Sequence, residues 1–280
     1  MDGRGAALRL LKVAAAAGDH LRPRRRGVVV LIYHRVGGGA RSEIDLPAAE
    51  FERQMAWLAE SGRVIGVDDA VDVLDAPEAA DPSDLSLVPA LNPVVVTFDD
   101  GTADLAEVAL PILVRYEVPA TVYLATRHID EQIPWPAGGV PLSWTGAQEM
   151  VASGMITVGS HTHSHALMDR LSPDDAADEL GRSKQLIEDK LGVAAQHFAY
   201  PKAVAPTSPE VEALVRDRFR SATLAGNRPN VYGHTDLHRL SRTPIQVSDG
   251  QRFFRHKAVG GMALEDTVRR AVNNRRYRDL

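Results

Sequence analysis

The run Val94-Val95-Val96-Thr97-Phe98-Asp99-Asp100-Gly101 constrains this chain more than any other stretch. β-Branched and aromatic residues lead into two adjacent carboxylates and a glycine. Such a run reads as a buried strand that delivers an acidic pair to the loop at its end. Further strand-like segments lie at 28–33, 64–67, 120–124, 156–160, 197–200, 221–224 and 240–247. Helical spacing or capping marks 47–61, 68–74, 105–116, 145–153, 172–191, 208–218 and 264–274. Helix 105–116 has to tolerate Pro111, and residues 75–92 and 126–143 read as loops. Strand–helix alternation of this kind predicts an α/β fold, with a mostly parallel sheet and its helices outside. Strand ends that carry chemistry point to a barrel with its reactive groups at the C-terminal rim.

The bulk numbers exclude several function classes. With 280 residues and 44% hydrophobic content, the chain can bury one large core. A net charge of −5 gives no reason to invoke nucleic acid. Cysteine is absent, so disulfides and thiolate chemistry are excluded, and a metal would have to use His, Asp, Glu or water.

The strand at 156–160 ends in His161-Thr162-His163-Ser164-His165. In a continued strand all three histidines face one side; in a turn, His161 and His165 lie together. Either geometry can chelate an ion, and His163 is left between supporting the site and plain packing. Two carboxylates held close rarely do the same job, because their surroundings separate their pKa values. One can bind metal while the other acts as a base. Histidine with carboxylate is a Zn²⁺-type donor set, with Co²⁺, Mn²⁺ or Ni²⁺ as alternatives.

Thr97-Phe98-Asp99-Asp100-Gly101 followed by the His161–His165 segment resembles the polysaccharide deacetylases, the chitooligosaccharide deacetylase homology domain of carbohydrate esterase family four. The resemblance spans roughly residues 27 to 250. It includes Tyr33-His34-Arg35-Val36, the Phe51–Met55 stretch, Leu142-Ser143-Trp144 and Phe198-Ala199-Tyr200-Pro201. It implies a distorted, incomplete (β/α) barrel in a single domain. It further implies Asp99 as catalytic base, with Asp100, His161 and His165 as metal ligands. The implied reaction is hydrolysis of an N-acetyl group on a carbohydrate, releasing acetate. The backbone N–H of Lys202 is the implied oxyanion donor, and Tyr200 and Pro201 fall on the substrate side.

The chain departs from the commonest family pattern in its third motif. An arginine that orients the base is missing there, since Ala199, Tyr200, Pro201, Lys202 and Ala203 occupy the matching positions. Arg242, on the last strand, is the expected substitute. The catalytic acid is also displaced; His34 is preferred over His234, His238 and His256. Trp135 and Trp144 flank the long loop. Trp135 is expected to line the sugar site, and Trp144 to pack in the core.

Two other readings stand beside this one. A haloacid-dehalogenase phosphatase needs Asp at i and i+2, but Phe98 and Gly101 stand at those neighbours, so that reading fails. A non-catalytic, metal-retaining glycan-binding protein, or another metal-dependent amide or ester hydrolase, is the remaining alternative.

Three regions are expected: a basic N-terminal segment at 1–26, the barrel at 27–258, and a C-terminal helix and tail at 259–280. Arg9 and Lys12 interrupt the apolar stretch near the start, and Arg22, Arg24, Arg25 and Arg26 follow it. That charge order is wrong for a secretory signal. The expectation is a cytoplasmic protein. Its first segment is a peripheral helix or a basic amphipathic contact with an anionic membrane.

Overall fold

The computed structural model describes residues 3–19, 25–40, 42–76 and 92–269. The chain opens with helix α1 (Gly3–Asp19), then β1 (Val29–Tyr33) and two short strands, β2 (Arg35–Val36) and β3 (Asp45–Leu46). Helices α2 (Ala48–Ser61) and α3 (Val67–Asp75) precede β4 (Val94–Phe98). Next come α4 (Leu110–Arg115), β5 (Ala120–Leu124), α5 (Thr126–Asp130), α6 (Trp144–Ala152) and β6 (Ile156–Ser160). The remainder is α7 (Pro173–Leu191), β7 (His197–Ala199), α8 (Pro209–Arg218), β8 (Ser221–Ala225), β9 (Leu240–Pro244) and α9 (Gly250–Ala258). A further helix covers 263–269.

Strands β1, β4, β5, β6, β7, β8 and β9 hydrogen-bond in that order and close into a barrel, every pairing parallel. The ring is one strand short of the eight in a full (β/α)₈ barrel. Strands β1 and β4 pair from Val29 with Val94 to Tyr33 with Phe98, so His34 and Asp99 leave their strands at one level. Side chains alternate across each strand. Val94, Val96 and Phe98 face the helices, in the main core with Leu31, Phe51, Met55 and Leu58. Thr97 and Asp99 face inward and meet Arg242.

Several elements differ from the sequence expectations, each for a local reason. The helix through Pro111 is split. Leu105–Ala109 forms a π-helical turn, and α4 then begins with Pro111 in its first turn. Proline there has no amide to lose, so the preceding turn absorbs the mismatch. Residues 64–67 are not a strand; Val64 makes a single bridge to Val94. Helix α3 starts after Gly66, with no side-chain cap from Asp68. The loop 126–143 contains α5 and a 3-10 turn at Pro136–Gly138. Helix α9 has no counterpart in the sequence reading. The loop expected at 75–92 and the C-terminal helix beyond 269 lie largely outside the described residues.

Candidate metal and catalytic centre

Asp100 leaves β4 in a left-handed conformation, at φ 74°, and Gly101 follows at φ 88°. That reversal brings the carboxylate of Asp100 round to the cavity that already holds Asp99. A β-carbon at Gly101 would lie 2.9 Å from the Leu124 side chain, so glycine is required on steric grounds as well. Thr162, His165, Lys202 and Ala203 are also non-glycine residues at positive φ. Five such residues in three loops around one cavity is a concentration of backbone strain of the kind that accompanies functional sites.

Oδ1 of Asp100 lies 3.7 Å from Nε2 of His161 and 3.5 Å from Nε2 of His165. All three donor atoms fall within 4.8 Å of one another. His161 Nδ1 is 2.7 Å from the carbonyl oxygen of Ala199. A carbonyl only accepts, so Nδ1 carries the proton and the Nε2 lone pair faces the cavity. Burial lowers His161 to about 4, against the pull of Asp99. Burial, with His161 beside it, lowers His165 to about 3. Both imidazoles are neutral near pH 7, as metal ligation requires. One carboxylate with two neutral imidazoles suits a divalent, borderline cation and leaves further coordination positions open.

Asp99 is buried against this trio, its Oδ2 3.8 Å from Nε2 of His161. Arg242 donates from both guanidinium ends to its two oxygens, at 2.6 and 2.7 Å. Burial works to raise the pKa of Asp99. The Arg242 charge and hydrogen bond, with His161 and His34, together outweigh it and hold the carboxyl down at about 2. Arg242 is itself fixed from three sides. It donates to Thr97 Oγ1 at 3.2 Å and to the Leu224 carbonyl at 3.4 Å, and its guanidinium lies 5.1 Å from the Tyr123 ring centroid. Gly159 leaves room for that ring, since a β-carbon there would approach it to 2.6 Å.

The turn that separates His161 from His165 is latched in two directions. His163 Nδ1 lies 3.0 Å from Thr126 Oγ1, and its carbonyl accepts from the Arg127 N–H at 2.7 Å. Ser164 donates from N–H and hydroxyl to the Glu179 carboxylate of α7, at 2.8 and 2.7 Å. Thr162 Oγ1 accepts from the Ala166 N–H at 3.0 Å. His163 therefore supports the site from outside the donor set. Thr126 and Glu179 were not legible in the sequence, because neither sits in a motif and both act across the fold.

His34 follows β1 at the same rim, and its charge acts on both Asp99 and His161. His238 is elsewhere, within 2.8 Å of the Phe219 carbonyl, and His256 pairs with Asp19. Lys202 lies in the turn after β7 with φ 55°. No backbone hydrogen bond among the described loops and turns uses its N–H. Two aromatic expectations need correction. Tyr200 is buried with Phe198 and Phe219 on the helix side of the barrel wall, so its ring does not face the cavity. Alternation along β7 explains this, since Ala199 takes the inward place. Trp135 is 8% exposed, with one face stacked on His128 at 3.7 Å and its ring edge-on to His165 at 5.5 Å. At most one indole face is left for a sugar. Trp144 packs against the main core and donates to Asp130.

Residues 89–214 match the family model for polysaccharide deacetylase, a stretch that holds Asp99, Asp100, His161, His165 and Lys202. That stretch is similar to a polysaccharide deacetylase domain. YxkH of Bacillus subtilis strain 168, whose name assigns it to the polysaccharide deacetylases, is 27% identical over 172 residues. That alignment takes in 61% of this chain and 55% of YxkH, so the chain spans about half the length of this curated relative. The fold matches that of the Streptococcus pyogenes deacetylase PplD, solved with acetate, at TM-score 0.68 and 20% identity. The match covers 84% of this chain and 99% of that one. IcaB from Ammonifex degensii matches at TM-score 0.67 and 23% identity, over 83% and 97%. The barrel fold is thus shared over more than four fifths of this chain and nearly the whole of each of those two. Arg242 lies beyond the segment that the family model matches.

Proposed function

We propose that the protein hydrolyses the N-acetyl group of an amino sugar in a glycan, glycolipid or sugar intermediate, releasing acetate. The observation that carries this reading is the division of labour between adjacent aspartates. Asp100 joins two neutral imidazoles, while Asp99 is held ionised beside them by Arg242. Asp100, His161 and His165 would hold the divalent cation, Zn²⁺ by donor type, with Co²⁺, Mn²⁺ or Ni²⁺ as alternatives. When bound, it supplies the charge that polarises a carbonyl and makes water more acidic.

The chain's own groups account for the protons. Water adds its oxygen to the acetyl carbon, and Asp99 takes the water proton at a carboxylate oxygen. Each oxygen retains a lone pair beyond the one engaged by Arg242. The Lys202 N–H donates to the oxygen that gains charge. The C–N bond then breaks, and the amine nitrogen receives its proton from His34 in this assignment. Products are acetate and a free amine. Pro201 sets the turn that presents the Lys202 amide.

The test is acetate release from N-acetylated oligosaccharide, lipid-linked and nucleotide-linked sugars, with metal-stripped and Zn²⁺-loaded protein side by side. Metal-dependent release is expected from at least one class. Saturable sugar binding with no release by metal-loaded protein would favour the glycan-binding alternative.

A further inference from the structure

Helix α1 is built inside out. Its one described lysine, Lys12, is fully buried and bonds Asp249 and Glu265, beside the inward Ala15 and Ala16. Its outer face carries Leu10, 72% exposed, and Val13, 40% exposed, with exposed Ala14 and Ala17. This orientation is enforced. Asp249 and Glu265 hold Lys12 at one end, and Asp19 accepts from the Met262 N–H, at 2.8 Å for the nearer oxygen, at the other. Helix 263–269, which supplies Glu265, adds Leu264 and Val268 to the exposed apolar residues. These lie one turn apart on one face. Exposed Arg9 flanks the patch, and exposed Arg25 and Arg26 close the run Arg22-Pro23-Arg24-Arg25-Arg26 that follows α1.

An apolar face with cations around it fits the interface of an anionic bilayer, where side chains such as leucine enter the acyl boundary and arginines meet phosphates. A second copy fits less well, because a symmetric pairing would bring Arg9 against Arg9. No described helix is long and apolar enough to cross a membrane, so the contact is peripheral.

We infer that the outer face of α1, together with helix 263–269, seats the protein on an anionic lipid surface. This inference does not depend on the deacetylase reading. The experiment is flotation of the full chain with vesicles of equal parts phosphatidylglycerol and phosphatidylcholine, against phosphatidylcholine alone. It is run at low and high salt, for wild type, Leu10→Ser/Val13→Ser and Arg25→Glu/Arg26→Glu. These surface changes leave the Lys12 pairing intact, and an unchanged melting temperature verifies that the variants fold. Deleting α1 would not be informative, because it leaves Asp249 and Glu265 buried without Lys12.

The serine variant is expected to lose about tenfold or more in vesicle binding. Binding should fall steeply with salt, as the arginine contacts are screened. Absence of binding, equal binding to neutral vesicles, or wild-type binding by the serine variant would overturn the inference. So would a dimer by light scattering that the serine variant abolishes, since that assigns the face to a second copy.

Discussion

Arg242 reaches Asp99 from the inside of the last barrel strand, and that pair governs the site at the scale of single residues. Removing one partner of a buried, doubly hydrogen-bonded ion pair typically costs 3–5 kcal/mol. Arg242→Gln should therefore lower stability by about 3 kcal/mol in denaturant melts. With the charge of Arg242 no longer opposing the burial of Asp99, the acidic limb of its kcat/KM profile should move to higher pH. An unmoved limb would mean that Arg242 serves packing alone. The histidines give a separate pH prediction for metal-free protein. An unfolded histidine titrates near 6.5, whereas folded His161 and His165 lie at about 4 and 3. Below about pH 6.5 the unfolded state binds more protons, so stability should fall as pH drops from 6.5 towards 4. Melting temperatures across that range check the sign, and Zn²⁺ should offset the loss. Asp99, Asp100, His161 and His165 were legible in the sequence because each belongs to a run of neighbours. Arg242 was legible only as the answer to a missing arginine. The packing of the Tyr200 ring was not, because β7 has only three residues and its alternation does not stand out.

At the scale of elements, the ligand-bearing turn after β6 depends on two helices that contribute no ligand. Thr126 at the start of α5 and Glu179 within α7 grip His163 and Ser164 from different sides. Outer contacts of this kind are worth roughly 10–100-fold in metal affinity. Glu179→Ala should weaken Zn²⁺ binding by about tenfold in chelator competition, while the melting temperature of metal-free protein changes little. Unchanged affinity would make this latch incidental. Glu179→Gln should recover part of the loss, because its amide oxygen can still accept. Most elements were legible from period and punctuation. The exceptions are instructive: α9 buries Lys257 beside Phe253 and Phe254 through an ion pair with Asp249. Its inward face therefore reads as polar in sequence. The π turn before Pro111 depends on how the barrel seats that helix.

Across the whole molecule, both ends of the chain are fastened to the same side of the barrel. Lys12 of α1, Lys257 of α9, Asp249 and Glu265 form a buried set of two cations and two carboxylates. Lys12→Ala leaves two buried carboxylates with one lysine, and should cost about 3 kcal/mol in urea unfolding. A loss under about 0.5 kcal/mol, the range of ordinary surface changes, would show that α1 is dispensable to the barrel. The sequence announced a barrel through its alternation of strands and helices. It did not announce this clasp, because its members lie as much as 253 residues apart.

In the proposed reaction Asp100 serves metal binding and Asp99 serves proton transfer. The most direct measurement is bound Zn²⁺ per chain, taken beside acetate release, for wild type, Asp99→Asn and Asp100→Asn. Asp99→Asn should keep its Zn²⁺ and lose turnover by about 100-fold or more, while Asp100→Asn should lose both. An Asp99→Asn protein that keeps its turnover, or that sheds its metal as readily as Asp100→Asn, would contradict the account.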